Sequence, residues 1–103
     1  MKAIKTFFPN GVIKEVFTID DKGLKQGLYQ LYYESGGKLE GEEFYINGER
    51  HGICKYYNPN GRLKKELYFK LGKLHGICKT YFDNGELENE SIYENGIFKD
   101  MLL

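Results

Sequence analysis

The sequence predicts an all-β fold: a single twisted antiparallel β-meander of about nine strands, built from four hairpin repeats, with essentially no helix. Glycines recur at fixed intervals along the 103 residues. Many of them follow an asparagine, which marks a tight turn. The segments between them alternate apolar and polar residues, as strands do.

Two glycine series define a repeat of about 24 residues. The first series is Gly11, Gly37, Gly61 and Gly85, and the second is Gly23, Gly48, Gly72 and Gly96. Side chains keep the same step, since Tyr33, Tyr57 and Tyr81 each stand four residues before a glycine of the first series. We therefore interpret residues 1–103 as one domain, with repeats at about 5–28, 29–52, 53–76 and 77–103.

The junctions between segments carry the chemistry of hairpin turns. Asn-Gly is a strong hairpin signal because both residues tolerate the positive φ that tight turns need. It occurs at Asn10-Gly11, Asn47-Gly48, Asn60-Gly61, Asn84-Gly85 and Asn95-Gly96. The junction Ser35-Gly36-Gly37 is one or two residues longer, which leaves room for a bulge.

The segment from Arg62 to Leu71 shows the alternation within a strand. Its apolar and polar residues are predicted to point to opposite sides: Leu63, Leu67, Phe69 and Leu71 against Arg62, Lys64, Glu66, Tyr68 and Lys70, with Lys65 out of pattern. The period is about 2 rather than the helical value of about 3.6. A single sheet of this kind cannot bury both of its faces, so an open face needs a partner.

Composition narrows the function. Fifteen basic and fifteen acidic side chains cancel, whereas proteins that depend on phosphate contacts show a basic excess. No Gly-x-Ser-x-Gly elbow, phosphate loop or His-Glu-x-x-His motif occurs, so we expect no enzyme and no cofactor. The sequence has no apolar run typical of a signal peptide or membrane span. Its two cysteines fit free thiols in a reducing compartment, and we expect a cytoplasmic protein.

The segments His51-Gly52-Ile53-Cys54 and His75-Gly76-Ile77-Cys78 together offer the ligand set of a structural zinc site. Strand geometry argues against such a site, because residues three apart point to opposite faces. Equivalent residues of successive repeats lie two strands apart, roughly 9 to 10 Å, too far for a shared metal or a disulfide. We expect no metal, with the histidines in the hairpin junctions and the cysteines packing in the sheet.

Tyrosines supply candidate partner-binding residues, because Tyr is enriched at interaction hot spots. Alternation predicts that Tyr32, Tyr56 and Tyr68 lie on the face opposite Tyr33, Tyr57 and Tyr81. We expect the first three to contact a partner. The second three either do the same or form a cross-strand ladder that stabilises the sheet.

Charges are distributed in blocks. Residues 62–79 hold six basic and one acidic side chain, and residues 83–94 hold five acidic side chains and no basic one. These stripes either pair across neighbouring strands or steer a complementary partner. The second interpretation makes Arg62, Lys64, Lys70, Glu88 and Glu90 candidate binding residues. The apolar segment 97–103 is either a closing strand or an edge that pairs with another chain.

The segments Asn47-Gly48-Glu49-Arg50-His51-Gly52 and Leu71-Gly72-Lys73-Leu74-His75-Gly76 resemble the Gly-x-x-His-Gly junction of MORN repeats. The wider pattern of Gly52, Tyr56-Tyr57, Gly61, Leu63, Glu66, Phe69 and Gly72 is similar to the bacterial variant of the repeat, and the Tyr-x-Gly-x-Trp opening of the eukaryotic form is missing. The resemblance runs from about Phe7 to Asp100. It implies an array of β-hairpins that mediates protein contacts, and bacterial proteins of this type are often labelled antitoxin-like.

Three functions stay open on the sequence. The first is a small inhibitor of bacterial or phage origin, of antitoxin, immunity or anti-defence type, which binds and blocks an effector protein such as a nuclease. The second is a structural module that self-associates, for example as a homodimer through a sheet face or edge. The third is nucleic-acid binding along the basic stripe with aromatic stacking, which the flanking acidic blocks disfavour.

Overall fold

The computed structural model describes residues 1–102, which form eleven strands and no helix. The strands are β1 (Lys2–Phe7), β2 (Ile13–Ile19), β3 (Gly27–Tyr32), β4 (Leu39–Ile46), β5 (Glu49–Arg50), β6 (Gly52–Tyr57), β7 (Leu63–Lys70), β8 (Lys73–Leu74), β9 (Gly76–Tyr81), β10 (Leu87–Glu94) and β11 (Ile97–Met101). All belong to one antiparallel sheet in the order β1-β2-β3-β4-β6-β7-β9-β10-β11, with β5 paired to β4 and β8 to β7. The predicted all-β meander is confirmed. The nine strands of this path correspond to the predicted number, and the two-residue strands β5 and β8 raise the count to eleven.

The described residues contain no helix that is long and apolar enough to cross a membrane.

Three tight hairpins turn at Asn47-Gly48, Leu71-Gly72 and Asn95-Gly96. Both central residues have positive φ in each: 49° and 81°, 47° and 87°, and 50° and 84°. This is the type I′ turn, whose twist matches that of the flanking strands. Asn tolerates the conformation, whereas the Cβ of Leu71 makes it costly for a leucine. The hairpins predicted at Asn47 and Asn95 are confirmed.

Wider turns join the other strand ends. Gly11, Gly61 and Gly85 donate their N–H groups to carbonyls three residues earlier at 2.8–2.9 Å. The Oδ1 atom of the preceding asparagine accepts the N–H of the residue after each glycine at 2.9–3.1 Å. The predicted turns at Asn10, Asn60 and Asn84 are therefore confirmed, and the asparagine side chain helps to close each one.

The turn of the second repeat is one residue longer than its equivalents, which shifts the repeat register. Leu39, Leu63 and Leu87 lie opposite Tyr32, Tyr57 and Tyr81. These three tyrosines are therefore equivalent, and the predicted set of Tyr33, Tyr57 and Tyr81 is wrong. The prediction counted four residues back from Gly37, and that count includes the extra residue of the turn. Tyr33 instead donates its hydroxyl to the carbonyl of Tyr57.

Each repeat holds the tight hairpin of the next repeat through one side-chain acceptor. The N–H groups of Asn47, Leu71 and Asn95 donate to Gln26 Oε1, His51 Nδ1 and His75 Nδ1 at 3.0, 3.2 and 3.2 Å. The glycine that follows in each hairpin donates to the carbonyl of Lys25, Arg50 or Leu74. The histidines therefore lie in the hairpin junctions, as predicted, and Gln26 fills the same role in the first repeat.

The two faces of the sheet differ in burial. Strand alternation places the buried side chains Tyr29, Glu43, Tyr45, Cys54 and Cys78 on one side, which we call the buried face. The ring centroids of Tyr29 and Tyr45 are 5.6 Å apart, so neighbouring strands cover one another's side chains there. The opposite side, which we call the open face, carries exposed apolar residues. The sheet measures 41 × 33 × 14 Å, the thickness of a single layer, so no second layer among residues 1–102 covers the open face.

Candidate functional site

An apolar row crosses the open face near those ends of the strands at which the tight hairpins lie. Its members, one from each successive strand of the path, are Leu28, Phe44, Ile53, Tyr68, Ile77 and Ile92. Direct cross-strand pairs join Leu28 to Phe44, Ile53 to Tyr68 and Ile77 to Ile92. Four of the six, Leu28, Phe44, Tyr68 and Ile77, are 40–48% exposed. Together these four present roughly 300 Å² of mostly apolar surface, comparable to the largest apolar patch of a typical monomer, which is often functional.

A row of alternating charge runs beside the apolar row, and we call it the charge row. Its cross-strand pairs are Glu42 with Lys55, Lys55 with Glu66, Glu66 with Lys79, and Lys79 with Glu90. The Lys79 Nζ and Glu90 Oε2 atoms are 3.6 Å apart. Opposite charges in neighbouring positions favour this register of the strands. With three carboxylates and two ammonium groups, the row has a formal excess of one negative charge.

Two shallow pockets lie along the boundary between the apolar row and the charge row. The first, of about 420 Å³, is lined by Glu42, Phe44, Gly52, Ile53 and Lys55, together with neighbours that include His51. The second, of about 340 Å³, is lined by Glu66, Tyr68, Gly76, Ile77 and Lys79. Each of these five residues stands 24 positions after its counterpart in the first pocket. The open face therefore repeats one pocket in successive repeats.

The buried face is organised around one carboxylate. Glu43 accepts hydrogen bonds from the Tyr45 hydroxyl at 2.8 Å, from Arg50 Nε at 3.1 Å and from the Tyr56 hydroxyl. Burial raises the pKa of Tyr45 to about 12, and the hydrogen bond to Glu43 adds to the shift. The same two causes raise the pKa of Tyr56. This network ties β4, β5 and β6 together and stabilises the face that carries the core.

The predicted tyrosine sites do not share one face. Tyr68 belongs to the apolar row, and Tyr32 lies on the open face with its hydroxyl 3.4 Å from Gln30 Oε1. Tyr56 lies on the buried face, whereas Tyr81 lies on the open face and donates to Glu66 Oε1 at 2.6 Å. The predicted division of the tyrosines is therefore wrong, because alternation holds within a strand and does not carry across turns of unequal length. Partner binding by Tyr32, Tyr56 and Tyr68 stays a prediction.

The predicted charged sites lie on the open face, before β7 and at two strand bulges. Lys70 is exposed and shares the open face with Glu66 and Tyr68, as the alternation predicted for β7 requires. Lys64 is exposed but is the extra residue of a bulge, and Leu63 pairs with Tyr57, so the predicted alternation does not extend to these two residues. Arg62 precedes β7 and its Nη1 donates to the carbonyl of Asp83 at 3.3 Å. Glu88 is the extra residue of a bulge in β10 and accepts from the Thr80 hydroxyl at 3.2 Å.

Glu90, the remaining charged candidate, pairs with Lys79, so the basic and acidic stripes do meet across strands at this point. Partner binding by all five charged residues stays a prediction.

Sequence analysis missed most of the apolar row, although a signal for it is present. Adjacent apolar residues recur at intervals of 24 as Phe44-Tyr45, Tyr68-Phe69 and Ile92-Tyr93. Successive residues of a strand point to opposite faces. Each pair therefore places one large apolar side chain on the buried face and one on the open face.

The cysteines and histidines that were weighed as zinc ligands have separate structural roles. Cys54 and Cys78 are buried free thiols, and burial raises the pKa of the Cys54 thiol. His51 and His75 accept backbone hydrogen bonds at the hairpin junctions. Among residues 1–102, no group of three His, Cys, Asp or Glu side chains is arranged to hold a metal ion.

Comparison with known families identifies the repeated unit. Residues 50–71 and 74–95 match the family described as MORN repeat variant. The first match contains β6, β7 and His51, and the second contains β9, β10 and His75. No curated protein matches the chain. MORN repeats generally act as modules that interact with proteins or membranes. Residues 50–71 and 74–95 of this chain therefore each match the model of one MORN-variant repeat.

Proposed function

We propose that this chain is a non-catalytic, cytoplasmic protein-binding module that covers an effector protein with its open face and thereby inhibits it. One observation carries the proposal: the buried side chains lie on one face, while the apolar row stays exposed on the other. Leaving such a row in water forgoes roughly 25 cal/mol for each Å² of apolar surface that a partner would bury. A protein that packs on the open face recovers this free energy.

The size and charge of the open face favour a protein partner over a nucleic acid. The sheet measures 41 by 33 Å, so one face exceeds the roughly 800 Å² that a standard interface takes from each partner. The charge row alternates in sign, whereas a phosphate backbone requires a basic track. A chain of 103 residues that occupies an effector's working surface inhibits it by steric occlusion alone.

Co-expression with the products of adjacent genes tests the proposal. We expect one such product to co-purify with the chain and to lose its own activity or toxicity in the complex. The double variant Phe44→Lys/Ile77→Lys places charge in the apolar row, and we expect it to abolish both effects. Phe82→Lys is the matched control, because Phe82 is 48% exposed but lies at a turn outside the row. Unchanged binding by the double variant, with unchanged folding by circular dichroism, would contradict the proposal.

Light scattering of the purified chain separates inhibition from self-association. If a different protein covers the open face, we expect the chain to remain a monomer at both low and high concentration. A stable homodimer that the Phe44→Lys/Ile77→Lys variant dissociates would replace the inhibitor with a self-associating scaffold.

A further inference from the structure

The two pockets of the open face set a fixed spacing for any ligand that fills both. Equivalent residues of the two pockets, such as Ile53 on β6 and Ile77 on β9, lie two strands apart in the path. Neighbouring strands are about 4.8 Å apart, so the pockets repeat at about 9.6 Å. The direction of repetition is perpendicular to the strands. A ligand that uses both pockets therefore crosses the strands and presents similar side chains about every 9.6 Å.

Three regular backbone conformations of a ligand place the side chains along one of its edges at different distances. A polyproline II helix has three residues per turn and a rise of about 3.1 Å, so every third side chain points the same way at about 9.3 Å. An α-helix brings a side chain back to the same edge after seven residues, at about 10.5 Å. An extended strand does so after two residues, at about 6.6 Å. The polyproline II spacing matches the pockets most closely.

The polar groups at the pockets fit the same backbone. Polyproline II has no internal hydrogen bonds, so its carbonyls accept from outside. His51 lines the first pocket, and because its Nδ1 accepts the Leu71 N–H, the proton of the neutral ring is on Nε2, from which it can be donated. Tyr68 lines the second pocket with a phenol that also donates. Aromatic walls next to such donors are typical of grooves that bind proline-rich segments.

The charge row complements a second edge of such a ligand. Glu42, Glu66 and Glu90 follow one another at every second strand and therefore share the spacing of about 9.6 Å. The row carries one negative charge in excess. Basic side chains at every third residue of the ligand, on the edge next to the apolar one, would meet these carboxylates.

We propose that the open face binds a proline-rich segment of a partner protein in the polyproline II conformation, with an apolar residue at every third position and basic residues on the adjoining edge. The segment crosses β4, β6, β7 and β9, places one apolar side chain in each pocket and lays its basic edge along the charge row. This assignment rests on the proposed function, since it names the kind of partner surface that the open face recognises.

Titration of the isotope-labelled full chain with synthetic peptides tests this assignment by nuclear magnetic resonance. The probe is a peptide of repeated Leu-Pro-Arg triplets that is long enough to span both pockets. Its controls replace every Pro with Ala, which favours a helix, or every Arg with Glu. We expect the probe to shift the amides of Gly52 and Gly76 together with the methyl groups of Ile53 and Ile77. We expect each control peptide to bind at least about tenfold more weakly.

Variants of the protein locate the contact. Ile53→Lys and Ile77→Lys are each expected to weaken probe binding about tenfold, while Phe82→Lys leaves it unchanged. Retained chemical-shift dispersion shows that the variants are folded. Absence of shifts at millimolar probe, equal binding of the alanine peptide, or shifts confined to the buried face would each overturn the assignment. If the probe fails while Phe44→Lys/Ile77→Lys still abolishes capture of a protein partner, the ligand class is wrong and the proposed function stands; if both fail, the open face is not the binding surface.

Discussion

Substitution of the side-chain acceptor at a repeat junction tests how strongly that hydrogen bond stabilises the array. His75 Nδ1 accepts the N–H of Asn95 at the tip of the last tight hairpin, and Gln26 Oε1 accepts the equivalent N–H of Asn47. A histidine and a glutamine thus perform the same task in different repeats. We predict that His75→Ala destabilises the protein, whereas His75→Gln restores an acceptor and preserves most of its stability.

The magnitude follows from a single hydrogen bond. Such a bond contributes about 0.5–1.5 kcal/mol net. Asn95 is exposed, so water can replace part of the lost bond, and we expect a loss of about 1 kcal/mol for His75→Ala. For a domain of this size, this lowers the melting temperature by about 4–8 °C. His51 and His75 lie about 9.6 Å apart, so the two alanine substitutions should be close to additive, at about 2 kcal/mol.

Urea and thermal unfolding followed by circular dichroism measure these differences, provided that the urea dependence of the free energy of unfolding is unchanged among the variants. Hydrogen exchange of the Asn95 amide adds a local measurement, and we expect faster exchange in His75→Ala than in His75→Gln. Equal destabilisation by alanine and glutamine would refute the reasoning, because it would show that ring packing and not the acceptor stabilises the junction. No effect of alanine would also refute it.

Further predictions concern the buried carboxylate, alkaline pH and one strained turn. Glu43→Gln should lower the free energy of unfolding by about 2–4 kcal/mol in urea, because two phenols and Arg50 lose a shared charged acceptor, while the half-buried control Glu66→Gln should cost about 1 kcal/mol. Tyr45 and Tyr81 have pKa values of about 12 in the fold, against the usual 10.0. The unfolded chain therefore loses these protons first, and the melting temperature should fall as pH rises from about 10 to about 12; a flat profile would contradict this. Leu71→Asn should raise the free energy of unfolding by about 0.5–1 kcal/mol, since Asn tolerates the positive φ of this turn, and Leu71→Val should lower it.

Features that depend on local chemistry could be predicted from the amino-acid sequence alone. The tight Asn-Gly turns at Asn47 and Asn95 depend on the backbone freedom of two neighbouring residues. The alternation along most of β7 depends on the fixed geometry of a strand. Neither requires distant contacts, so the hairpins, the repeat of about 24 residues and the all-β meander could be predicted. The placement of the histidines in the junctions was predictable for the same reason, because the Gly-x-x-His-Gly segment is continuous in sequence.

Which side chains share a face depends on how the strands pair in three dimensions. One extra residue in the turn before Leu39 moves Tyr32, rather than Tyr33, into register with Tyr57 and Tyr81. A shift of one residue reverses the face of every side chain counted across it, because the strand period is two. The structure also showed that Tyr56 binds the buried Glu43 and that Phe44, Tyr68 and Ile77 remain exposed in one row. That row and its pockets combine residues of neighbouring strands that are distant in sequence and come together only when the strands pair.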